Sequence, residues 1–366
     1  MLGVASSPHV MARAAAFHNR GHKTQMISPV PAESTLIEVS SPPPVGLKGV
    51  FGHLYVAAWT AWRLLHVRAE IYHAHYAAEI GTWLAWLLCK RPLVISVMGG
   101  DVLFNEQGTI GPLGHWLTRR SLASAALVTV KSPLLADVVA GFGVPRSRIE
   151  TVIWGVDQKI FSHSQKDGMA YRQKLGISEQ AQVVFSPRML QPFYRIDVLI
   201  DAWPQILTAI PSAVLVLSTF NADPVYQNKL KRKAAAAGVS HSIIFAPKLT
   251  QSEMRAAYSA ANIAVSIPPS DGFPQTALEA AACLCPLILS DLPRLYDFFA
   301  PDHDAVYTAT NPQSVADAVL HTLQNSSATK QRAVSAYKKV REGADFNANV
   351  ARVEARMHHL LDQEAK

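Results

Sequence analysis

The sequence predicts an α/β protein made of two successive β/α/β domains. Short apolar runs, suited to strands of a parallel sheet covered on both faces, alternate with helical segments; the alternation breaks at a polar linker, residues 162–168, and then restarts. The chain has 366 residues, 49% hydrophobic and 17% charged, which is material for two domains with ordinary cores.

In the first half, residues 2–6 read as a clipped strand. A helix opens at Ser7-Pro8-His9 and stops at Arg20-Gly21-His22, and residues 23–28 form the next strand. No glycine-rich phosphate loop joins them, so the segment is not a dinucleotide site. Residues 29–44, rich in Pro, Ser and Glu, read as a loop or irregular strand. A helix over residues 47–67 interleaves Phe51, Tyr55, Trp59 and Trp62 with His53, Arg63, His66 and the following Arg68, which suits either core packing with a solvated basic edge or docking on a membrane surface. Residues 71–76 alternate as a strand that puts His73 and His75 on one face; with no third ligand nearby, acceptor contact or packing is expected before metal binding. The strand at 93–97 runs into Met98-Gly99-Gly100-Asp101, where glycines let backbone and ligand approach and Asp101 either binds a hydroxyl or braces the loop. A strand at 127–132, a helix at 133–140 and a strand at 149–153 close this half on Trp154-Gly155-Val156-Asp157.

The second half sets strands at 182–186, 213–217, 243–245, 263–267 and 287–291 between helices at 171–175, 198–207, 224–237 and 251–260. Lys229 to Lys233 reads as a solvated helix face. Two corners stand out. After the first of these strands come Arg188 and Arg195, guanidiniums that pair bidentately with phosphate oxygens or, on the plainer reading, with Asp197 or Asp201. After the strand at 263–267, an acidic corner, Ser270-Asp271-Gly272-Phe273-Pro274-Gln275-Thr276, enters a helix with Pro274 in its first turn and Glu279 deeper along it. Such a corner faces the crevice where α/β sheets bind anions, and Glu279 has two oxygens to accept both hydrogens of a ribose diol. The plainer reading is an acid favoured by the helix dipole and a surface glutamate. Asp302-His303-Asp304 imitates a metal motif but sits in an apparent loop. Helices at 312–323 and 332–361 end the chain.

Bulk properties exclude several classes. Cys89, Cys283 and Cys285 have no zinc-type spacing and sit in apolar helical contexts, as in a reducing compartment. No run reaches the ~18 apolar residues of a membrane span. The first residues lack a basic region and apolar core of a secretory signal, so a cytoplasmic protein is expected. The net charge of +7 is uneven: 14 Lys and Arg face 9 Asp and Glu in residues 1–165, against 20 and 18 in the remainder. A basic first half suits an anionic membrane surface or a phosphate-bearing acceptor; no zinc-finger or RNA-binding motif points to nucleic acid.

The acidic corner carries a resemblance. An acid, Gly, an aromatic and Pro, then a second acid, Glu279, opening Glu-Ala-x-Ala-Cys, and Pro-Leu-Ile-Leu-Ser-Asp, resemble the nucleotide-sugar signature of family 4 retaining glycosyltransferases. The resemblance extends along the chain, through Arg20-Gly21-His22, Gly99 with Asp101, Gly155-Val156-Asp157 and Arg188. The sequence departs from the pattern at Asp271 (usually Glu), at Leu284 (usually Gly, implying an altered turn), at Met98 and at Trp154, and the loop to Arg195 is longer by about two residues.

The resemblance implies a GT-B fold: two Rossmann-like domains, residues 1–160 on the acceptor side and 161–335 on the nucleotide-sugar side, facing a cleft, with the segment 336–366 crossing back. It implies transfer of a hexosyl group, with retention, from a nucleotide-diphosphate sugar to a hydroxyl of a glycan or polyprenyl-linked acceptor, in surface polysaccharide or glycoconjugate synthesis. Arg188, Arg195, Asp271 and Glu279 would be the catalytic set, and Gly272, Phe273, Pro274, Gln275 and Thr276 would bind the donor. Gly99, Gly100, Asp101 and His75 would face the acceptor. Neither metal nor cofactor is expected, since the departing phosphate can take the acceptor's proton. The alternatives are a non-catalytic sugar-nucleotide-binding relative and a nucleotide-sugar epimerase.

Overall fold

A computed structural model describes residues 1–104 and 110–364. The chain forms two compact units, Met1–Trp154 with Asn347–Lys366, and Gly155–Phe346. The crossing points fall at 154/155 and 346/347, against the expected 160/161 and 335/336.

Unit 1 holds α1 (Pro8–Asn19), β1 (Gln25–Ile27), β2 (Glu38–Ser40), α2 (Gly49–His66), β3 (Tyr72–His75), α3 (Ile80–Leu88), β4 (Leu93–Ser96), α4 (Pro112–Ser124), β5 (Leu127–Val130), α5 (Pro133–Gly141) and β6 (Ile149–Thr151). Strands β3-β4-β5-β6 pair in that order and all in parallel. The clipped first strand is a single residue: Leu2 bridges in parallel to Ile27 on one side and Ala74 on the other, joining the β1-β2 pair to the rest. The order is therefore β2-β1-Leu2-β3-β4-β5-β6, and the winding reverses between Leu2 and β3. Residues of β3, β4 and β5 are buried on both faces, as a parallel sheet under helices requires. β2 lies within residues 29–44, the stretch read as a loop or irregular strand; α4 is not marked by the sequence because the face it buries, Thr118, Ser121 and Leu122, is mostly polar.

Unit 2 holds α6 (Gln165–Lys174), β7 (Gln182–Ser186), α7 (Ile196–Ala209), β8 (Ala213–Ser218), α8 (Pro224–Ala236), β9 (Ile243–Ala246), α9 (Gln251–Ala260), β10 (Ile263–Ser266), α10 (Gln275–Ala282), β11 (Leu287–Ser290), β12 (Val306–Thr308), α11 (Pro312–Gln324) and α12 (Ser326–Gly343). Its strands run parallel in the order β12-β11-β10-β7-β8-β9, a doubly wound sheet whose switch point lies between β7 and β10. Trp203, Leu199, Ile206 and Leu217 centre the apolar core on one face.

The single final helix expected at 332–361 is two, α12 and α13 (Phe346–Glu364), because the chain extends at Ala344-Asp345 to pair with Val156. The Val156 N–H donates to the Ala344 carbonyl at 3.0 Å and the Phe346 N–H to the Val156 carbonyl at 3.1 Å. Gly155 permits this approach: its φ is +76°, and a Cβ there would sit 2.0 Å from the Ala344 carbonyl oxygen. Beyond Phe346, α13 joins unit 1, where Asn349 Nδ2 donates to the Ile153 carbonyl at 2.8 Å and Glu354 accepts from Arg20 Nε at 2.7 Å.

Candidate functional site

Of the residues expected to meet a donor, Arg188, Asp271 and Thr276 come together at the switch point of unit 2. Arg188 follows β7, Asp271 follows β10, and their side chains pair at 2.9 Å, largely buried. The second guanidinium nitrogen of Arg188 donates to Thr276 Oγ1 at 3.2 Å, and its plane lies 4.3 Å from the centre of the Tyr194 ring. Three elements thus fix one guanidinium: the acidic loop, the start of α10 and the turn before α7. Gln275 points elsewhere, its Nε2 donating to the Gly155 carbonyl at 2.7 Å. Pro274 caps α10 rather than entering it, and Gly272 is buried beside it. The Phe273 ring is core, packed on Phe298 and Phe299 at 5.3 and 6.1 Å, so only its backbone is left to meet a ligand.

Glu279 lies one turn into α10, 8% exposed, and accepts from the Tyr258 hydroxyl at 3.1 Å. Burial holds its carboxyl up at about 7, while the Tyr258 hydrogen bond and the Arg188 charge pull the other way. A buried carboxyl poised near neutrality with one partner is ready to accept ligand hydroxyls. Arg195 stands apart. It caps α7 in the left-handed conformation, φ +53°, and its Nε lies 3.6 Å from Asp197, the plainer of its two readings.

Leu284 corrects an expectation. It takes φ +56°, so the turn that glycine would make is kept, with Cys285 N–H to the Ala280 carbonyl at 2.9 Å and Leu284 N–H to the Ala281 carbonyl at 3.0 Å. That pair of bonds is a Schellman close, made here at the expense of a strained leucine.

The residues expected to face an acceptor meet at the carboxyl ends of β3 and β4. Asp101 is buried and braces the loop: it accepts from the N–H groups of Ala77, Met98 and Gly99 at 2.6, 2.9 and 2.8 Å. Gly99, at φ +122°, makes the turn and Gly100 continues it. His75 is buried, and its Nδ1 accepts from the Arg13 guanidinium at 3.2 Å. His73 Nε2 bonds to Ser96 Oγ at 2.8 Å, and burial drives His73 down to about 3 and His75 well below its usual value, so both rings are neutral. Arg13 and Glu79 were missed from sequence. Arg13 lies on the buried stripe of α1 with Val10, Ala14 and Phe17, and a charge at a core-facing helical position was the signal. Glu79 lines a cavity of about 790 Å³ with Leu2, Gly3, Tyr55, His75 and Trp83, and burial, then the Asp101 charge, raise it to about 7.

For a metal, the described residues offer one group: His22, Glu354 and His358, with ligand atoms within 4.8 Å of one another. Arg20 and His22 already pair with Glu354, at 2.7 and 2.6 Å, which makes it an ion-pair clamp on α13. Asp304 of the Asp-x-Asp imitation is occupied by Lys339 at 2.8 Å and by Ser335.

Two doubly wound parallel units in one chain are the architecture of the GT-B proteins. Solved structures share it over nearly the whole length: the HepE protein of Anabaena in complex with UDP and glucose (TM-score 0.81, 16% identity, covering 98% of each chain) and sucrose-phosphate synthase of Thermosynechococcus elongatus (TM-score 0.84, 16% identity, 97% of this chain and 93% of that one). Residues 6–159 match the family described as Glycosyltransferase Family 4, and residues 169–341 that described as Glycosyl transferases group 1. The chain belongs to the family 4, group 1 glycosyltransferases. Among curated relatives, D-inositol 3-phosphate glycosyltransferase 2 of Catenulispora acidiphila is 26% identical over 236 residues, 60% of this chain and 54% of that protein. An uncharacterized glycosyltransferase of Methanocaldococcus jannaschii is 20% identical over 237 residues, 63% of this chain and 59% of its own. The chain spans about half the length of the curated relatives it matches.

Proposed function

We propose that the chain is a retaining hexosyltransferase that moves a sugar from a nucleoside-diphosphate sugar to a hydroxyl of a glycan or polyprenyl-linked acceptor. The observation that carries this is the Arg188–Asp271 pair at the unit 2 switch point, with Glu279 behind it on α10. Family membership and the UDP and glucose in the HepE structure support it. In this reading Arg188 exchanges Thr276 and part of its Asp271 contact for diphosphate oxygens, Asp271 holds sugar hydroxyls and Glu279 holds the ribose diol. The acceptor oxygen forms a bond to the anomeric carbon as the bond from that carbon to the phosphate oxygen breaks. The phosphate leaves with the electron pair and takes the acceptor's proton, and Arg188 stabilises the charge developing there. Arg195, freed from Asp197, would be the second phosphate cation. No step requires a metal, so transfer should persist in excess EDTA. The kept turn at Leu284 removes one reason to read the chain as a non-catalytic relative.

The setting we propose is the inner face of a membrane, in surface polysaccharide or glycoconjugate synthesis. On α2 only Thr60 and Leu64 are buried, whereas Phe51, Leu54, Trp62 and Leu65 are 72, 60, 52 and 65% exposed. Lys48 and His53 stand exposed at the start of that helix, whereas Arg63, farther along, is half-buried and paired with Glu38 at 3.0 Å, so an apolar face with a basic end is presented to the surroundings. Among the described residues no helix is long and apolar enough to cross a membrane. The direct test is incubation with a panel of sugar nucleotides: binding of one of them, followed by its slow hydrolysis or by transfer with the anomeric configuration kept, is the expected result. A chain that binds none, or that returns an epimerised sugar nucleotide, would exclude the transferase reading.

A further inference from the structure

We infer that Tyr258 is a positioning residue for the nucleoside part of the donor: its hydroxyl sets the plane of the Glu279 carboxylate, and with it the preference for a ribose over a 2′-deoxyribose. The inference rests on the proposed role of Glu279 and names the group that makes that role selective. Tyr258 sits in the last turn of α9 and Glu279 one turn into α10, 21 residues on, with β10 between them. The phenol donates to Glu279 Oε2 at 3.1 Å, and among the described residues this is the one hydrogen bond its hydroxyl makes. Glu279 Oε1 accepts none there. One oxygen is held, and the other is left for a ligand.

The phenol ring is itself fixed. Tyr258 is 1% exposed and meets Phe185 of β7 at 5.3 Å and Phe161 at 6.5 Å, both edge to face. A glutamate side chain, by contrast, ends in a broad torsion about which a carboxylate turns readily. A bond from a rigid ring removes that freedom before a ligand arrives. Burial, then the Glu279 charge, hold the phenol well above its usual range, so the proton stays on Tyr258 and its hydroxyl remains the donor. The other groups around the carboxylate do not compete for it. Arg188 acts on it by charge but is hydrogen-bonded to Asp271 and Thr276, and Arg255, on α9 with Tyr258, is paired with Asp167. Cys283 and Cys285 are thiols that burial keeps protonated. With Oε2 accepting from Tyr258, a ribose diol can give one hydrogen to Oε1 and the other to the second lone pair of Oε2. Both are met only when the plane is set, whereas a 2′-deoxyribose brings one hydroxyl and leaves an acceptor unmet.

The test is calorimetric titration of the full chain with UDP, GDP and ADP, and with the 2′-deoxy form of whichever binds, from about pH 6 to 9. In Tyr258→Phe the affinity for the ribonucleotide should fall ~10-fold at neutral pH, and its preference over the deoxy form should narrow. The ligand favours the ionised carboxyl, and so did the lost bond. The rise of affinity with pH should therefore move up by ~1 pH unit, a change that loss of packing alone would not make. In a Glu279→Gln background the same substitution should alter binding no further. An unmoved pH profile or an unchanged ribose preference in Tyr258→Phe, while Glu279→Gln binds weakly, would overturn this inference alone. Glu279→Gln binding as tightly as the wild type, or a wild type that binds none of the three, would sink the ribose role of Glu279 and this inference with it. Should Tyr258→Phe not fold, 3-fluorotyrosine placed at position 258 decides it. A more acidic phenol donates more strongly, so the profile should move to lower pH, and an unmoved profile is the negative result.

Discussion

Arg188 and Asp271 are 83 residues apart in sequence and 2.9 Å apart in space, because β7 and β10 are the two strands that flank the switch point of unit 2. The pair holds the site in register before any ligand arrives. Under the proposed function, a diphosphate entering here would meet a guanidinium already oriented by Thr276 and Tyr194, and the charge developing on the leaving group would meet a donor in place. Arg188→Ala should lower kcat by about 100-fold, with a smaller change in donor Kd. Single-turnover kinetics with a fixed donor will check it; a rise in donor KM alone would make Arg188 a binding residue only.

Glu279 should trade stability for donor binding. Its folded pKa of about 7 exceeds the ordinary 4.5, so the stabilising contribution is complete below pH 4.5 and is lost as pH rises through 7. At pH 8 the buried carboxylate costs on the order of 2–3 kcal/mol. Glu279→Gln should therefore raise the unfolding midpoint at pH 8 and leave it nearly unchanged at pH 4, while weakening donor binding by ~10-fold. Wild-type donor affinity should climb between pH 6 and 8, as the ligand hydroxyls favour the ionised form. Urea titrations at the two pH values together with donor calorimetry test both halves.

Leu284→Gly should relieve the left-handed strain at the end of α10. Setting that gain against the packing of a half-buried leucine, we expect a net stabilisation of ~0.5–1 kcal/mol. Thermal unfolding of the variant measures it, and a drop in midpoint would mean that the leucine contacts outweigh the strain.

For α2, Trp62→Ala with Phe51→Ala should reduce capture by anionic vesicles several-fold while leaving the fold intact, since both rings are exposed. Rising salt should weaken capture by the wild type, because basic groups near an anionic surface contribute about 1 kcal/mol each and are screened. Trp59 belongs to the core side of the helix, so Trp59→Ala should lower stability instead. Sedimentation with vesicles at low and high salt separates the two effects.

Much of this was legible because parallel strands write themselves as apolar runs. β7, β8, β10 and β11 lie where those runs do, and the acidic corner announced itself by joining one of them to a helix. Leu2 as a strand was readable only in part, since a bridge of one residue has no periodicity. The break at Ala344-Asp345 was not readable, because the partner that unwinds the helix there, Val156, lies far away in sequence. The Arg188–Asp271 contact could be anticipated from two corners of one sheet. Arg195 with Asp197, and the Phe273 ring against Phe298, turn on side-chain directions that spacing does not fix.

The return of α13 to unit 1 bears on how the protein is born. Unit 2 is one uninterrupted stretch of chain, whereas Val350 and Val353, both fully buried, reach unit 1 only after residue 346. On a ribosome, the second domain can finish folding while the first still waits for its last helix. Stalled chains ending near residue 346 should resist protease across unit 2 and be cut within unit 1.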